Sequence, residues 1–300
     1  MLRSMYAGIS GMKGFQTKLD VVGNNIANVN TSGYKKARVS FQDMMSQTLS
    51  GAEGPTNTRG GVNPQQVGLG SQLGSIDNIH TQGNRQTTNR ILDLALEGDG
   101  MFVLGKDLSY NAGNRASSGV DMQDTPLSFT RAGNFYLDDE GYVVNPDGLY
   151  LLGNVNPDGS KVDDYLGKIQ IPQDAASFSI QGDGLVTYVN GSGNVQSAGQ
   201  ILLAKFSNPG GLQKTGSNLY QITNNAGVFT DDGNFDTIDD LVIPEENGSA
   251  TIVSGALEMS NVDLAEEFTE MITAQRGFQA NTRIITTSDE ILQELVNLKR

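Results

Sequence analysis

The sequence predicts a mainly β protein with terminal α-helices. An all-β central domain is inserted between N- and C-terminal helices that pair as a coiled coil. Two observations predict this fold class. Apolar residues recur at steps of three or four at both ends of the 300-residue chain, which is the period of an amphipathic helix. Between the ends, short β-prone runs alternate with Asp-Gly, Asn-Gly and Gly-Gly turns, which is typical of antiparallel hairpins.

The first thirty residues are predicted to form one amphipathic helix. The apolar stripe of this helix consists of Leu2, Met5, Ile9, Met12, Phe15, Leu19, Val22, Ile26 and Val29. Near its end stand Asn24, Asn25 and Asn28, each of which costs roughly half a kcal/mol relative to Ala in a helix. We therefore expect these amides to make hydrogen bonds that offset the cost. The alternative is a fraying helix end, with Asn30 and Gly33 as a left-handed stop.

The predicted domain scheme has three parts. Residues 1–40 and 251–300 form a terminal helical core domain, residues 41–89 form an extended connector, and residues 90–250 form the all-β outer domain. The connector is rich in Gly, Gln, Asn and Thr and shows little apolar periodicity. The β domain contains runs such as "MFVL", "LYLL" and "LVTYV" between turn signals.

A second amphipathic pattern closes the chain and predicts the C-terminal helix. Its apolar residues occupy heptad-compatible positions, with Gln275 and Thr282 as polar breaks. These apolar residues are Leu264, Phe268, Met271, Phe278, Ile285, Leu292 and Val296. A helix with one apolar face and little else nearby to bury it is marginal alone, so both terminal helices are expected to assemble with neighbours.

The charge balance excludes a general nucleic-acid binder. The net charge is −14, and the local basic cluster of Lys35, Lys36 and Arg38 is interpreted as a solvated helix end. No run of about 18 uncharged apolar residues occurs, so no membrane insertion is expected. The N-terminus lacks the pattern of a signal peptide, so we expect either a cytoplasmic protein or export without cleavage. The absence of cysteine leaves the compartment open.

Catalysis and cofactor binding find little support in the sequence. His80 is the only histidine, and no neighbouring residue offers a second imidazole or a thiolate for a metal. The segment 100–107 has the glycine and lysine spacing of a phosphate loop but ends in Asp107 where Ser or Thr is required. Asp138 to Glu140 are interpreted as a solvated hairpin tip. We therefore expect no enzyme, no cofactor and no metal.

One weak calcium site stays open as an alternative. Residues 154–164 begin like a calcium loop, but Tyr165 stands where the bidentate Glu is needed. A Pro-Asp-Gly turn explains the segment better.

Three long segments stand out in the sequence: "LDVVGNNIANVNTSGYKKARVSFQDM" (19–44), "LDLALEGDGMF" (92–102) and "FTRAGNFYLDDEGYVVNPDG" (129–148). These segments resemble the bacterial flagellar rod and hook family. The match ends with residues 260–300, so almost the whole chain is covered. Within the family, the ending "AQRGFQAN…DEILQELVNLKR" is more similar to hook proteins, whereas "FQDMMSQT" and "IHTQGN" are also similar to distal-rod proteins.

This resemblance implies a subunit of the flagellar hook, polymerised into a hollow helical tube that transmits torque from motor to filament. The alternative within the family is a distal-rod protein, and the alternative of another class is a secreted adhesin or glycan-binding β domain. The implied partners are further copies of the chain, flagellar rod and hook–filament junction proteins, the hook cap and the flagellar type III export apparatus. Export without a cleaved signal, and a location in the hook and basal body, follow from the same resemblance.

The resemblance also implies where subunits touch, because the terminal helices would form the inner tube. The expected assembly residues are the apolar stripes and asparagines of the two helices. They are Leu19, Val22, Asn24, Asn25, Ile26, Asn28, Val29, Leu264, Phe268, Met271, Phe278, Ile285 and Leu292.

Overall fold

The computed structural model describes residues 2–108, 120, 122, 125–155, 166–228, 240–246 and 248–298. The chain divides into two compact units. The helical unit contains residues 1–29, 36–79 and 262–300, and the β unit contains residues 30–35 and 80–261. The mainly β fold class, with terminal helices and a central β domain, is confirmed.

The helical unit consists of two long helices and four strands. The helices are α1 (Leu2–Ala27) and α2 (Leu264–Asn297), and the strands are β1 (Ala37–Asp43), β2 (Ser46–Ser50), β3 (Gln65–Gly68) and β4 (Ser71–Asn78). β1 pairs antiparallel with β4, and β2 pairs antiparallel with β3. Among the described residues, neither helix is long and apolar enough to cross a membrane.

Local sequence explains where the helices begin and end. α2 begins after Asp263, whose carboxylate accepts hydrogen bonds from the backbone N–H groups of Ala265 and Glu266. This satisfies donors that the first turn of a helix leaves unpaired. α1 ends at Ala27 and is followed by a turn. Gly33 has a positive φ of 69°, but it lies six residues after Ala27 and does not close the helix.

The segment predicted as an extended connector contains regular strands instead. Within residues 41–89 lie β2, β3, β4 and β5, and the end of β1. Residues 36–79 group with the helices, which makes them part of the helical unit. The sequence pattern missed these strands because β2 and β3 are exposed along their whole length. A strand that buries neither face has no apolar alternation to reveal it.

The β unit is built on one large antiparallel sheet. Among the described residues, twelve strands belong to this sheet, with the main path β13-β14-β15-β11-β7-β8-β18-β17 and with β9, β10, β12 and β16 attached. Two further pairs, β6 with β19 and β5 with β20, complete the unit. The sixteen strands are β5 (Arg85–Thr87), β6 (Leu94–Glu97), β7 (Met101–Gly105), β8 (Leu127–Thr130), β9 (Tyr136–Leu137), β10 (Val143–Val144), β11 (Tyr150–Asn154), β12 (Leu166–Lys168), β13 (Ser177–Ile180), β14 (Leu185–Val189), β15 (Val195–Ile201), β16 (Leu203–Ala204), β17 (Gln213–Gly216), β18 (Leu219–Gln221), β19 (Thr251–Ser254) and β20 (Ala256–Glu258).

The core of the β unit lies on both faces of its central strands. Along β7, Phe102 and Leu104 join one buried apolar cluster, whereas Met101 and Val103 join another. This alternation follows from the two-residue period of a strand. It also explains why "MFVL" is apolar at every position, and why the segment 100–107 contains a buried strand rather than a phosphate loop.

Two sequence interpretations fall on turns or outside the described residues. Asp138 caps the predicted hairpin tip, because its carboxylate accepts hydrogen bonds from the N–H groups of Glu140 and Tyr142. Most of the calcium-loop candidate, residues 156–165, lies outside the described residues.

Candidate assembly surface

The two helices of the helical unit pack antiparallel along much of their length. Asn25, near the C-terminal end of α1, contacts Glu267 in the first turn of α2, and successively earlier residues of α1 contact successively later residues of α2. Lys18 Nζ lies 3.3 Å from Glu270 Oε2, and the Thr282 hydroxyl lies 3.3 Å from Met12 Sδ.

Small residues let the helix backbones approach closely. A Cβ placed on Gly11 would lie 2.6 Å from the Asn281 amide nitrogen, and one placed on Gly277 would lie 2.6 Å from Phe15 Cζ. Both distances are shorter than a van der Waals contact, so a larger side chain at either position would require the side chain of Asn281 or Phe15 to move.

Asn25 joins α1 to the start of β1. Its Nδ2 donates to the Ala37 carbonyl at 2.9 Å and to Glu267 Oε2 at 3.2 Å, and its Oδ1 accepts from the Ala37 N–H at 3.0 Å. The side chain is 1% exposed. Hydrogen bonds of this kind offset the low helix propensity of asparagine, as expected. The partners belong to the same chain.

Burial raises the pKa of Glu267, and the hydrogen bond from Asn25 and the charge of Lys36 oppose this rise. Lys36 is held by Glu266, at 2.8 Å. The Asn25 amide and the ion pair between Lys36 and Glu266 thus hold the end of α1 and the start of β1 against the first turn of α2.

The expected assembly residues divide into buried and accessible sets. Val22 and Asn25 are only 2% and 1% exposed, so their side chains pack within their own chain. Asn24, Leu264 and Phe268 are exposed, the latter two at 40% and 49%. The remaining positions are partly buried: Leu19, Ile26, Asn28, Val29, Met271, Phe278, Ile285 and Leu292.

A groove lies along the face of α1 that points away from α2. We call it the α1 groove; it has a volume of about 580 Å³ and runs between α1 and residues 44 and 69–73. Its apolar lining includes Tyr6, Ile9 and Leu73, which are 68%, 37% and 41% exposed. The helical stripe predicted from the sequence did not include Tyr6, although residues 3, 6, 10, 13 and 17 follow the same helical spacing.

The C-terminal half of α2 carries a second exposed apolar surface. Ile284, Ile291, Leu295 and Leu298 are 43%, 49%, 49% and 82% exposed. They recur at intervals of seven, four and three residues, which places them along one side of the helix. We call these four residues the α2 stripe. Exposed apolar surface that is arranged in stripes marks sites where another chain binds.

The β unit contains a buried charged cluster that the sequence did not reveal. Lys35 was interpreted as part of a solvated helix end, yet it is 0% exposed, and its ammonium donates to Glu258 and to the Thr81 carbonyl. Arg131 Nη1 lies 3.4 Å from the other oxygen of Glu258. The interpretation failed because Glu258 lies more than two hundred residues away in the sequence. Burial lowers the pKa of Lys35, and the charge of Glu258 opposes this effect.

His80 lies beside this cluster, with its ring 5.5 Å from that of Tyr220. Both ring nitrogens are buried and have no hydrogen-bond partner among the described residues. The pKa of His80 is lowered to about 4, first by burial and then by the positive charges of Lys35, Lys214 and Arg131. No group of three or more His, Cys, Asp or Glu that could hold a metal occurs in the described part of the chain.

Comparison with known proteins identifies the family. Three families match parts of the chain: "Flagella basal body rod protein" over residues 5–35, "Flagellar hook protein FlgE/F/G D1 domain" over residues 119–188, and "Flagellar basal body rod FlgEFG protein C-terminal" over residues 253–298. The chain is also 52% identical over 300 residues to the flagellar basal-body rod protein FlgG of Bacillus subtilis, with both chains covered completely. The chain belongs to the flagellar rod and hook family.

Membership of this family makes the chain a structural protein of the flagellar basal body and hook rather than an enzyme, as expected from the sequence. The first and last matching segments contain most of α1 and α2, so the helices belong to the parts that the family shares.

Two further relatives bear on the place of this axial protein in the flagellum. FlgG of Caulobacter vibrioides is 35% identical over 301 residues, with 99% of this chain and 100% of the relative covered. The flagellar hook protein FlgE of Borreliella burgdorferi is 33% identical, with complete coverage of both chains, but that alignment extends over 453 residues. The relatives of this chain's own length are rod proteins, so the distal-rod alternative fits these relatives better than the expectation of a hook protein.

Proposed function

We propose that this protein is the distal-rod subunit of a bacterial flagellum and polymerises into a hollow helical tube. The observation that carries the proposal is the 52% identity to a basal-body rod protein along the full length of both chains. The hook relatives, aligned over 453 and 473 residues, contain segments for which this chain has no counterpart. The ending that had suggested a hook protein belongs to the segment matched by a family that includes rod and hook proteins alike.

In the tube, α1 and α2 form the inner wall. The pairing of α1 and α2 as a coiled coil is part of this proposal, supported by their antiparallel contacts. Exposed Phe268 and Leu264, together with Asn24 and Asn28, are assigned to contacts between subunits. Each of these surfaces is small, so many copies must act together to stabilise the polymer.

The partners and the route of export follow from the same proposal. The chain binds further copies of itself and neighbouring axial proteins of the flagellum. The other rod proteins, the hook–filament junction proteins, the hook cap and the type III export apparatus remain the proposed set. Export proceeds through that apparatus without cleavage of a signal peptide. The proposed function requires neither binding of nucleic acid nor insertion into a membrane.

Complementation tests the assignment directly. The full-length chain would be expressed in two Bacillus subtilis strains, one lacking FlgG and one lacking its hook protein. We expect restored motility and restored filaments in the strain without FlgG alone. Rescue of only the strain without hook protein would establish the hook alternative and overturn the distal-rod proposal. A tag on the chain shows whether it is expressed and exported in both strains. A strain that is not rescued then reports on function and not on a lack of the protein.

A further inference from the structure

We propose that the α1 groove of one subunit receives the α2 stripe of a second copy of this chain. The pairing rests on the proposed polymerisation and specifies which surfaces of the helical unit meet in the polymer.

The α1 groove and the α2 stripe have the same length and the same apolar character. The groove lining on α1 extends from Arg3 to Thr17, and the α2 stripe extends from Ile284 to Leu298. Both are fourteen-residue intervals of helix, or about 21 Å at 1.5 Å per residue. Tyr6, Ile9 and Leu73 offer apolar surface in the groove, and the stripe offers four large aliphatic side chains.

The α1 groove and residues 284–298 of α2 carry charges of opposite sign. The groove is lined by Arg3 and Lys13 and by no acidic residue. Residues 284–298 contain Asp289, Glu290 and Glu294 and no Lys or Arg, and basic residues flank this segment at positions 283, 299 and 300. Among the described residues, Arg3, Lys13, Glu290 and Glu294 take part in no ion pair. Complementary charges at the edge of an apolar contact orient the partners and speed their association.

The first half of α2 fits the groove less well, because its acids already have partners. Glu266 pairs with Lys36 and Glu270 pairs with Lys18 within the same helical unit. Phe268 and Ile272 are exposed beside them, but that segment offers little free negative charge. The C-terminal half is therefore the better match.

The contact must join two chains, because groove and stripe cannot meet within one subunit. The groove lies on the face of α1 opposite to the one that packs on α2. Residues 3, 6, 10, 13 and 17 line the groove, whereas Gly8, Gly11 and Phe15 meet α2. Each copy presents both a groove and a stripe, so the contact is heterologous. An open oligomer therefore has a free groove at one end and a free stripe at the other. A contact of this kind that does not close into a ring builds an open helical filament.

Engineered cysteines provide the test, since the chain contains no cysteine of its own. Two differently tagged preparations, one carrying Ile9→Cys and the other Leu295→Cys, are mixed, assembled into polymer that sediments, and oxidised. The matched control replaces Ile9→Cys by Val195→Cys on the β unit, where Val195 is 69% exposed. We expect disulfide-linked pairs that carry both tags to form at least about tenfold more with Ile9→Cys than with the control.

A charge exchange provides the second measurement. Lys13→Glu alone and Glu294→Lys alone should each raise the critical concentration for assembly about three- to tenfold. Combining both changes in one chain should bring the critical concentration most of the way back to that of the unmodified chain. The control is Lys106→Glu, at an exposed position of the β unit, which changes the net charge as Lys13→Glu does. This control should leave the critical concentration unaltered.

The outcomes separate this pairing from the proposed function. A polymer in which Ile9→Cys links to Leu295→Cys no more than the control does, or in which the double charge exchange restores nothing, would overturn the pairing alone. Failure of the unmodified chain to assemble under any condition would overturn the polymerisation proposal, and the pairing with it.

Discussion

Lys35 and Glu258 form an ion pair inside the β unit, with Nζ 2.5 Å from Oε1 and with side chains that are 0% and 2% exposed. The same carboxylate also accepts from the Gly83 N–H at 3.0 Å and lies 3.4 Å from Arg131. Glu258 is therefore the one acid that neutralises two buried cations in the described part of the unit. The segment 30–35 belongs to the β unit through this pair, and through the bond from the Gly33 N–H to the Glu258 carbonyl.

Glu258→Gln should destabilise the β unit by about 3 kcal/mol or more, because removing one partner leaves buried charges uncompensated. The matched control is Glu97→Gln, which breaks a pair with Arg85 whose side chains are 48% and 44% exposed. That change should cost about 1 kcal/mol or less. Urea unfolding with peptide-resolved hydrogen exchange would report each unit separately. Equal losses for the two variants would contradict a special role for Glu258.

Gly33→Ala should also destabilise the β unit. Gly33 has φ 69°, and a Cβ there would lie 2.6 Å from the Ala132 nitrogen, which is backbone and cannot move aside cheaply. Gly148→Ala is the control, since φ is 78° but no atom lies within 4 Å of the added carbon. The control should lose about 1 kcal/mol from backbone strain alone, and Gly33→Ala should lose at least about 2 kcal/mol more. Similar melting temperatures for the two variants would show that the contact with Ala132 relaxes freely.

Asn25→Ala should destabilise the helical unit by about 2–4 kcal/mol, because it removes three hydrogen bonds and leaves the buried carboxylate of Glu267 without its amide donor. Asn24→Ala, at an exposed position one residue earlier, should gain about half a kcal/mol of helix propensity. Hydrogen exchange in peptides from α1 and from the first turns of α2 measures both effects. If Asn25→Ala proved as mild as Asn24→Ala, the network would have no energetic importance.

Gly277→Ala should weaken the packing of α1 on α2, because three atoms of the Phe15 ring lie within 2.8 Å of the added carbon. The loss should be about 1–3 kcal/mol, as for other overpacked cores. Gly23→Ala meets no atom within 4 Å and should stabilise α1 by up to about 1 kcal/mol.

Coupling between Gly277 and Phe15 tests the cause of that loss. In a chain that also carries Phe15→Leu, Gly277→Ala should cost distinctly less than it does alone. Strictly additive losses in unfolding free energy would count against a clash between these two residues.

His80 should titrate near pH 4 rather than near pH 6.5, because burial and three nearby cations favour the neutral ring. Between these values an unfolded chain binds a proton at His80 and the folded chain does not. Stability from this residue is therefore complete above about pH 6.5 and falls by at most about 3 kcal/mol as the pH drops towards 4, at about 1.4 kcal/mol per unit. The proton spectrum of the only histidine measures the midpoint without assignment work.

Lys214→Met separates the two causes. It should raise the pKa of His80 by only part of the shift, since burial is the larger cause. A midpoint near 6.5 in the unmodified chain would mean that water reaches the ring freely.

The sequence by itself determined the two helices, the buried strands of the β unit such as β7, and the family. Helices and buried strands have apolar periods of about 3.6 and 2 residues that can be read without coordinates, as in α2 and in β7. Long motifs such as those at 19–44 and 129–148 identify the family.

Only the tertiary structure decided which residues face inward and which remain available to a neighbour. Asn25 and Asn24 have the same local signal, yet one is buried against Ala37 and Glu267 and the other is exposed. Lys35 lies in a basic run, yet it is buried because Glu258 reaches it from the far end of the chain. The second wall of the α1 groove consists of Met44, Leu69 and the start of β4, a strand whose sequence, SQLGSIDN, shows no regular apolar alternation. In each case the deciding contact joins residues distant in sequence, and local periodicity carries no information about such contacts.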